Sequence, residues 1–145
     1  MGFQWNYLFS LFSDADFWWA TWTVVKLSIL TWLCSIALGF LLALAKQSQH
    51  RALTLFARGY IWLFRSTPLL VLLIFVYNLP QSWPSLSGIF SNAFYSGLIA
   101  MVLSETAYMA EIHLGGLLAI PKGQYEAGRA LGFSFAGIQR KIVIP

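Results

Sequence analysis

Apolar residues fall in three long blocks, separated by stretches of different character. From about Ala20 to Ala45 the only charged side chain is Lys26. At about 1.5 Å per residue, that run crosses a hydrocarbon core of about 30 Å with some tilt. Tyr60 to Leu79 forms a second block and Ala93 to Gly116 a third. The pattern predicts spanning helices at about residues 20–45, 60–79 and 93–116, and therefore an all-α integral membrane protein. In the first, Ser35, Gly39 and Ala43 recur every four residues, a small-residue face that lets another helix approach closely. Before the second, Lys46, His50, Arg51 and Arg58 are interleaved with Leu53, Leu55, Phe56, Tyr60 and Ile61, the pattern of an amphipathic helix along a membrane surface. Ser66-Thr67-Pro68 interrupts the second block, where the proline removes one helical N–H and is expected to kink the helix. Because Leu69 to Leu79 is too short to span alone, the second span must take in Arg65.

The polar stretches set an orientation. Residues 1–18 are aromatic and mildly acidic, suited to the membrane interface, and residues 78–92 carry Pro80, Pro84 and no ionised side chain. The second of these reads as an irregular connection. Lysine and arginine instead follow the first block, at Lys46, Arg51 and Arg58, and the third, at Lys122, Arg129, Arg140 and Lys141. The positive-inside rule then puts the N-terminus outside and the segment after Gly116 inside.

Composition agrees with a membrane class: 59% of residues are hydrophobic and 10% charged, which does not suit a soluble domain of 145 residues. The net charge of +4 is scattered between apolar blocks, so it forms no nucleic-acid stripe, and membrane lipid is the implied partner. One cysteine, Cys34, and two separated histidines, His50 and His113, supply no disulfide framework, metal centre or nucleophilic triad. No phosphate-cradling Gly-x-x-x-x-Gly-Lys-Ser/Thr loop occurs either.

The third block carries the most chemistry. Ala100, Ser104, Ala107, Glu111 and Gly115 are spaced by four, three, four and four, along one helical face. Glu105 lies about 16 Å from the outer end of the block by helix rise, near mid-membrane. A carboxylate at that depth is costly unless paired, protonated or wetted. Glu105, Tyr108, Glu111 and Arg65 are therefore the candidate solute path; a protonated Glu105 bonded between helices is the competing reading.

After the third block, Pro121 suits the first turn of a helix and Gly132 the left-handed residue that closes one. Ser134 is then placed to cap a second helix running from Phe135 to Ile144. Tyr125, Ala130 and Leu131 give the first of these helices an apolar side, and Lys122, Glu126 and Arg129 a charged one. Glu126-Ala127-Gly128, three residues, Gly132, nine residues, then Ile142-x-Ile144-Pro145 resembles the EAA motif of the membrane-spanning subunits of ATP-binding cassette (ABC) importers. In that family the motif is a cytoplasmic coupling helix that docks on the ATPase. The resemblance assigns the role to Glu126, Ala127, Gly128, Leu131 and Gly132, within a coupling loop at 121–145. Gly128 stands where the family usually has alanine, at a cost of roughly 1 kcal/mol of helix propensity, and Ile144 where leucine is common.

Two further segments are similar to the polar-amino-acid branch of the same permeases. Phe64-Arg65-Ser66-Thr67-Pro68-Leu69-Leu70-Val71 differs from the branch pattern by serine for glycine. Ala107-Tyr108-Met109-Ala110-Glu111-Ile112 resembles its Ala-Tyr-x-x-Glu segment, but Leu114 replaces the arginine that commonly follows. His113 and Lys122 are the expected substitutes beside Glu111.

The resemblance implies a type I ABC importer permease fold and a multi-pass subunit in the bacterial cytoplasmic membrane that moves a polar amino acid. It implies a separate ATP-binding cassette ATPase subunit, an extracytoplasmic amino-acid-binding protein and a second permease subunit, identical or different, with no cofactor or metal and no enzymatic activity in this chain. The family has about two more spanning helices after the motif, so the 145-residue chain is expected to be a single, C-terminally truncated permease domain, inactive alone. A non-transporting membrane adaptor and a proton-coupled carrier using Glu105 and Glu111 are the alternatives from other classes.

Overall fold

The computed structural model of the chain describes residues 9–10 and 12–143. Regular structure among them is helical: α1 (Ala15–Lys46), α2 (Arg51–Ser66), α3 (Leu69–Ser82), a 3-10 turn (Pro84–Leu86), α4 (Ser87–Phe90), α5 (Ala93–Ala119), α6 (Lys122–Ala130) and α7 (Phe135–Ile138), which widens into a π-helical turn at Gln139–Val143. With 32 and 27 residues, α1 and α5 extend about 48 and 40 Å, more than a hydrocarbon core of about 30 Å. Helix α1 is by itself long and apolar enough to cross a membrane; the other candidates are broken pairs, α2 with α3 and the Pro84–Phe90 segment with α5.

The interruption at Ser66-Thr67-Pro68 is a break between two helices, where the sequence suggested a kink within one. Pro68 has φ −58° and ψ 135°, an extended conformation that starts α3 and cannot continue α2. Residues 78–92 also depart from the irregular connection expected of them. Helix α3 runs through Pro80 to Ser82, and Pro84 then opens the 3-10 turn, a position at which its missing N–H is not needed. Inside α3, Asn78 donates its side-chain amide to the Ile74 carbonyl at 2.7 Å.

Contacts divide the chain into two units, one comprising residues as far as Ser35 with Ser66–Glu105, the other Ile36–Arg65 with the residues from Thr106. In the first, Thr31, Ser35, Leu72, Val76, Ser96, Ala100 and Ser104 are buried. Lys26 lies with its Nζ 6.0 Å from the Trp22 ring centre and 5.8 Å from that of Phe94, so two aromatic rings flank the one basic side chain of this part of α1.

The second unit packs α1, α2 and α5 around Leu42, Ala57, Ile61 and Ala110, with Ala45 and Tyr60 at its edge. Gly39 makes the closest approach. A Cβ built there would stand 2.6 Å from Met109 Cβ and 3.0 Å from the Ala110 nitrogen, so the small-residue face of α1 is a helix-packing surface. The predicted small face of α5 is buried at Ala100, Ser104 and Ala107, half-buried at Glu111 and exposed at Gly115. Between α1 and α2, the Ser48 hydroxyl accepts from the His50 N–H, and the Thr54 hydroxyl donates to the Ser48 carbonyl, closing the turn.

Candidate functional site

Two constellations of the second unit carry the predicted chemistry. The first is the helical hairpin of α6 and α7. Pro121 directly precedes α6, and Gly132 at φ +80° ends it. The Gly132 N–H donates to the Arg129 carbonyl and the Phe133 N–H to the Gly128 carbonyl, the two bonds of a Schellman cap. Ser134 caps α7 as its position suggested: its hydroxyl accepts from the Gly137 N–H at 3.2 Å. Ile144, the expected end of that helix, lies outside the described residues.

Gly128 is buried, and a Cβ there would lie 2.9 Å from Ile142 Cδ1 and 3.0 Å from Ile138 Cγ1. The glycine that weakens the helix locally is thus what lets α6 close on the segment after it. Lys141, on that segment, places its Nζ 4.8 Å from the Phe133 ring centre. The remaining candidates point elsewhere: Glu126, Ala127, Leu131 and Gly132 are exposed, Leu131 at 75%. The apolar side expected from Tyr125, Ala130 and Leu131 is therefore not a buried face. Tyr125 is half-buried, while Ala130 and Leu131 are uncovered. Glu126 and Leu131 thus stand exposed on a short helix that is closed at its C-terminal end by the Schellman cap and has no side-chain cap at its N-terminal end.

The second constellation surrounds Glu111. Lys46 Nζ, from the last turn of α1, donates to Glu111 Oε1, and Arg65 Nη1, from the last turn of α2, lies 4.0 Å from Glu111 Oε2. The Arg65 guanidinium is also 5.4 Å from the centre of the Tyr108 ring. Three of the four predicted path residues, Arg65, Tyr108 and Glu111, are brought together. Glu105 belongs to the other unit, is half-buried, and has no ion pair among the described residues.

His113 and Lys122, the expected substitutes for the missing arginine, form no ion pair with Glu111 among the described residues. Lys46 and Arg65 balance Glu111; His113 is instead 3.2 Å from the Ile36 carbonyl through Nε2 and meets Phe40 edge-on. In the sequence Lys46 counted toward an amphipathic pattern and as a mark of orientation, and was not paired with Glu111. Its available signal was its place as the last residue of an apolar helix, at the level where a neighbouring helix would need a cation.

A family described as "binding-protein-dependent transport system inner membrane component" matches residues 35–145. Among curated relatives, a Rickettsia conorii permease provisionally named for a glutamine transport system is 37% identical over 125 residues, covering 86% of this chain and 56% of that protein. An arginine transport system permease of Corynebacterium glutamicum is 35% identical, covering 83% and 41%, and an octopine transport system permease of Rhizobium radiobacter is 37% identical, covering 91% and 59%. The chain thus spans about half the length of the curated relatives it matches. A crystal structure of an amino acid ABC transporter with histidines aligns with the whole chain and 65% of its own, with a TM-score of 0.76 and 30% identity.

Proposed function

Because the chain belongs to the family of inner membrane components of binding-protein-dependent transport systems, we propose that it acts as a permease subunit moving a polar amino acid across the bacterial cytoplasmic membrane. Its fold is that of a type I ABC importer permease. The relatives named for glutamine, arginine and octopine support the substrate class. In this reading an extracytoplasmic binding protein delivers the solute, a second permease subunit completes the path, and a separate ATPase supplies the energy.

The observation that carries the proposal is the exposed, capped helix α6, anchored at Gly128 and offering Glu126 and Leu131 outward. Glu126→Lys reverses one charge on that surface without touching a packed side chain. In membranes containing the assembled ATPase, the variant is expected to reach wild-type abundance while uptake per ATP hydrolysed falls about tenfold, because like-charge contacts at a docking surface disfavour the productive complex. Wild-type coupling in this variant, or uptake that persists without nucleotide, would count against it, the latter favouring a proton-coupled carrier.

Glu105 is the proposed contact for the solute's amino group. Glu105→Gln keeps the shape and removes the charge, so uptake is expected to fall about tenfold with expression unchanged, the loss of one charged hydrogen bond. Unaltered uptake of every amino acid carried would return Glu105 to a packing role.

The proposed orientation has the N-terminus outside and α6 inside, on the strength of the lysine and arginine distribution. Cysteine at Ser87 is expected to react with an impermeant reagent in intact cells, and cysteine at Gln124 only after permeabilisation. The opposite labelling pattern would invert the topology.

A further inference from the structure

Helix α2 has one face that its own fold leaves open. Of its 16 residues, Ala57 and Ile61 are buried, and these two pack with Leu42 and Ala110. On the opposite side Leu55, Phe56, Trp62 and Leu63 are between 49% and 72% exposed. Arg51 and Arg58, both exposed, are seven residues apart, which is about 20° short of two full turns, so they share one edge of that open face. Each is followed four residues later by an exposed apolar side chain, Leu55 after Arg51 and Trp62 after Arg58, the spacing at which side chains neighbour one another on a helix. Arg65, a further seven residues on, is already engaged at Tyr108 and near Glu111, whereas Arg51 and Arg58 have no ion pair among the described residues.

We infer that this face of α2 is a binding surface for anionic phospholipid of the leaflet it lies in. Acyl chains cover Leu55, Phe56, Trp62 and Leu63, while Arg51 and Arg58 hold the headgroup phosphates. The charge pattern selects this occupant. A purely apolar partner would leave two guanidinium groups unpaired, and a zwitterionic lipid carries a compensating cation beside its phosphate. A row of arginines flanking exposed aromatic and aliphatic side chains matches a negatively charged interface in both charge and polarity.

The test reads lipid selection and not uptake, so its failure leaves the transport reading untouched. The chain is placed in nanodiscs made from an equal mixture of phosphatidylglycerol and phosphatidylcholine, then released gently, and the retained lipids are weighed by native mass spectrometry. Wild-type protein is expected to retain phosphatidylglycerol preferentially. Arg51→Gln and Arg58→Gln should each lower that preference about fivefold, Lys replacements should preserve most of it, and Lys122→Gln, on another helix, should not change it. The fluorescence lost on Trp62→Phe should be quenched more strongly by brominated phosphatidylglycerol than by brominated phosphatidylcholine. Equal retention of both lipids by wild-type protein overturns the proposal. So does a Trp62 signal that neither brominated lipid quenches, since protein then covers the face.

Discussion

Alanine at Gly39 is expected to destabilise the protein, although alanine is the better helix former. The added methyl carbon would sit 2.6 Å from Met109 Cβ, 3.0 Å from the Ala110 nitrogen and 3.1 Å from the Met109 carbonyl carbon. Carbon atoms normally meet at about 3.5 to 4.0 Å. Two of these three atoms are main chain, so no rotamer change relieves the contact, and α1 must move away from α5. Overpacking of this kind costs about 1 to 3 kcal/mol, with larger values where backbone blocks relaxation. The gain in helix propensity returns roughly 1 kcal/mol. Gly59 supplies the control, because it lies in α2 with nothing within 4 Å of its built Cβ. Gly59→Ala should therefore be neutral or stabilising by up to about 1 kcal/mol. Thermal unfolding of the two variants in the same lipid particles should separate them in opposite directions. A Gly39→Ala protein as stable as Gly59→Ala would mean that α1 and α5 do not pack this closely.

The second large effect is expected at Glu111. Its carboxylate is partly shielded, as is the Lys46 side chain, with relative exposures of 30% and 22%. Glu111→Leu removes a charged hydrogen bond and leaves Lys46 facing an apolar side chain, a loss of about 1.5 to 3 kcal/mol. Arg65 loses its nearby anion as well, but it is more exposed and keeps Tyr108. Lys46→Met combined with Glu111→Leu should recover most of the loss, because removing both members of a shielded pair avoids the stranded charge. A double-mutant cycle measured by thermal unfolding gives the coupling directly. Additive single and double variants would show that Lys46 and Glu111 do not interact.

How these residues divide between local and distant causes is visible in the coupling hairpin. Gly132 was recognisable as the left-handed residue that ends α6, because only its immediate neighbours decide that conformation. Ser134 was recognisable as a cap for the same reason. Gly128, by contrast, looked in the sequence like a simple loss of helix propensity. Its purpose emerges only when Ile138 and Ile142 fold back onto it. The exposure of Leu131 was also not legible, since helical spacing places a residue on a side without saying whether anything covers that side.

The same distinction runs through the whole chain. Sequence alone determined the helices α1 and α5, the interruption before Pro68 and the small-residue faces at Ser35–Gly39–Ala43 and Ala100–Ser104–Ala107. Apolar run length, proline stereochemistry and helical period act between residues close along the chain. The helical character of residues 78–92 was local too, but prolines that open or tolerate a helical turn were read as signs of an irregular loop. Only tertiary structure decided that Glu111 is balanced by Lys46, 65 residues earlier, and approached by Arg65. It also decided that Gly39 faces Met109. Both depend on which helices lie side by side and in what rotation, because an ion pair or a close contact forms across space between side chains that share no local constraint.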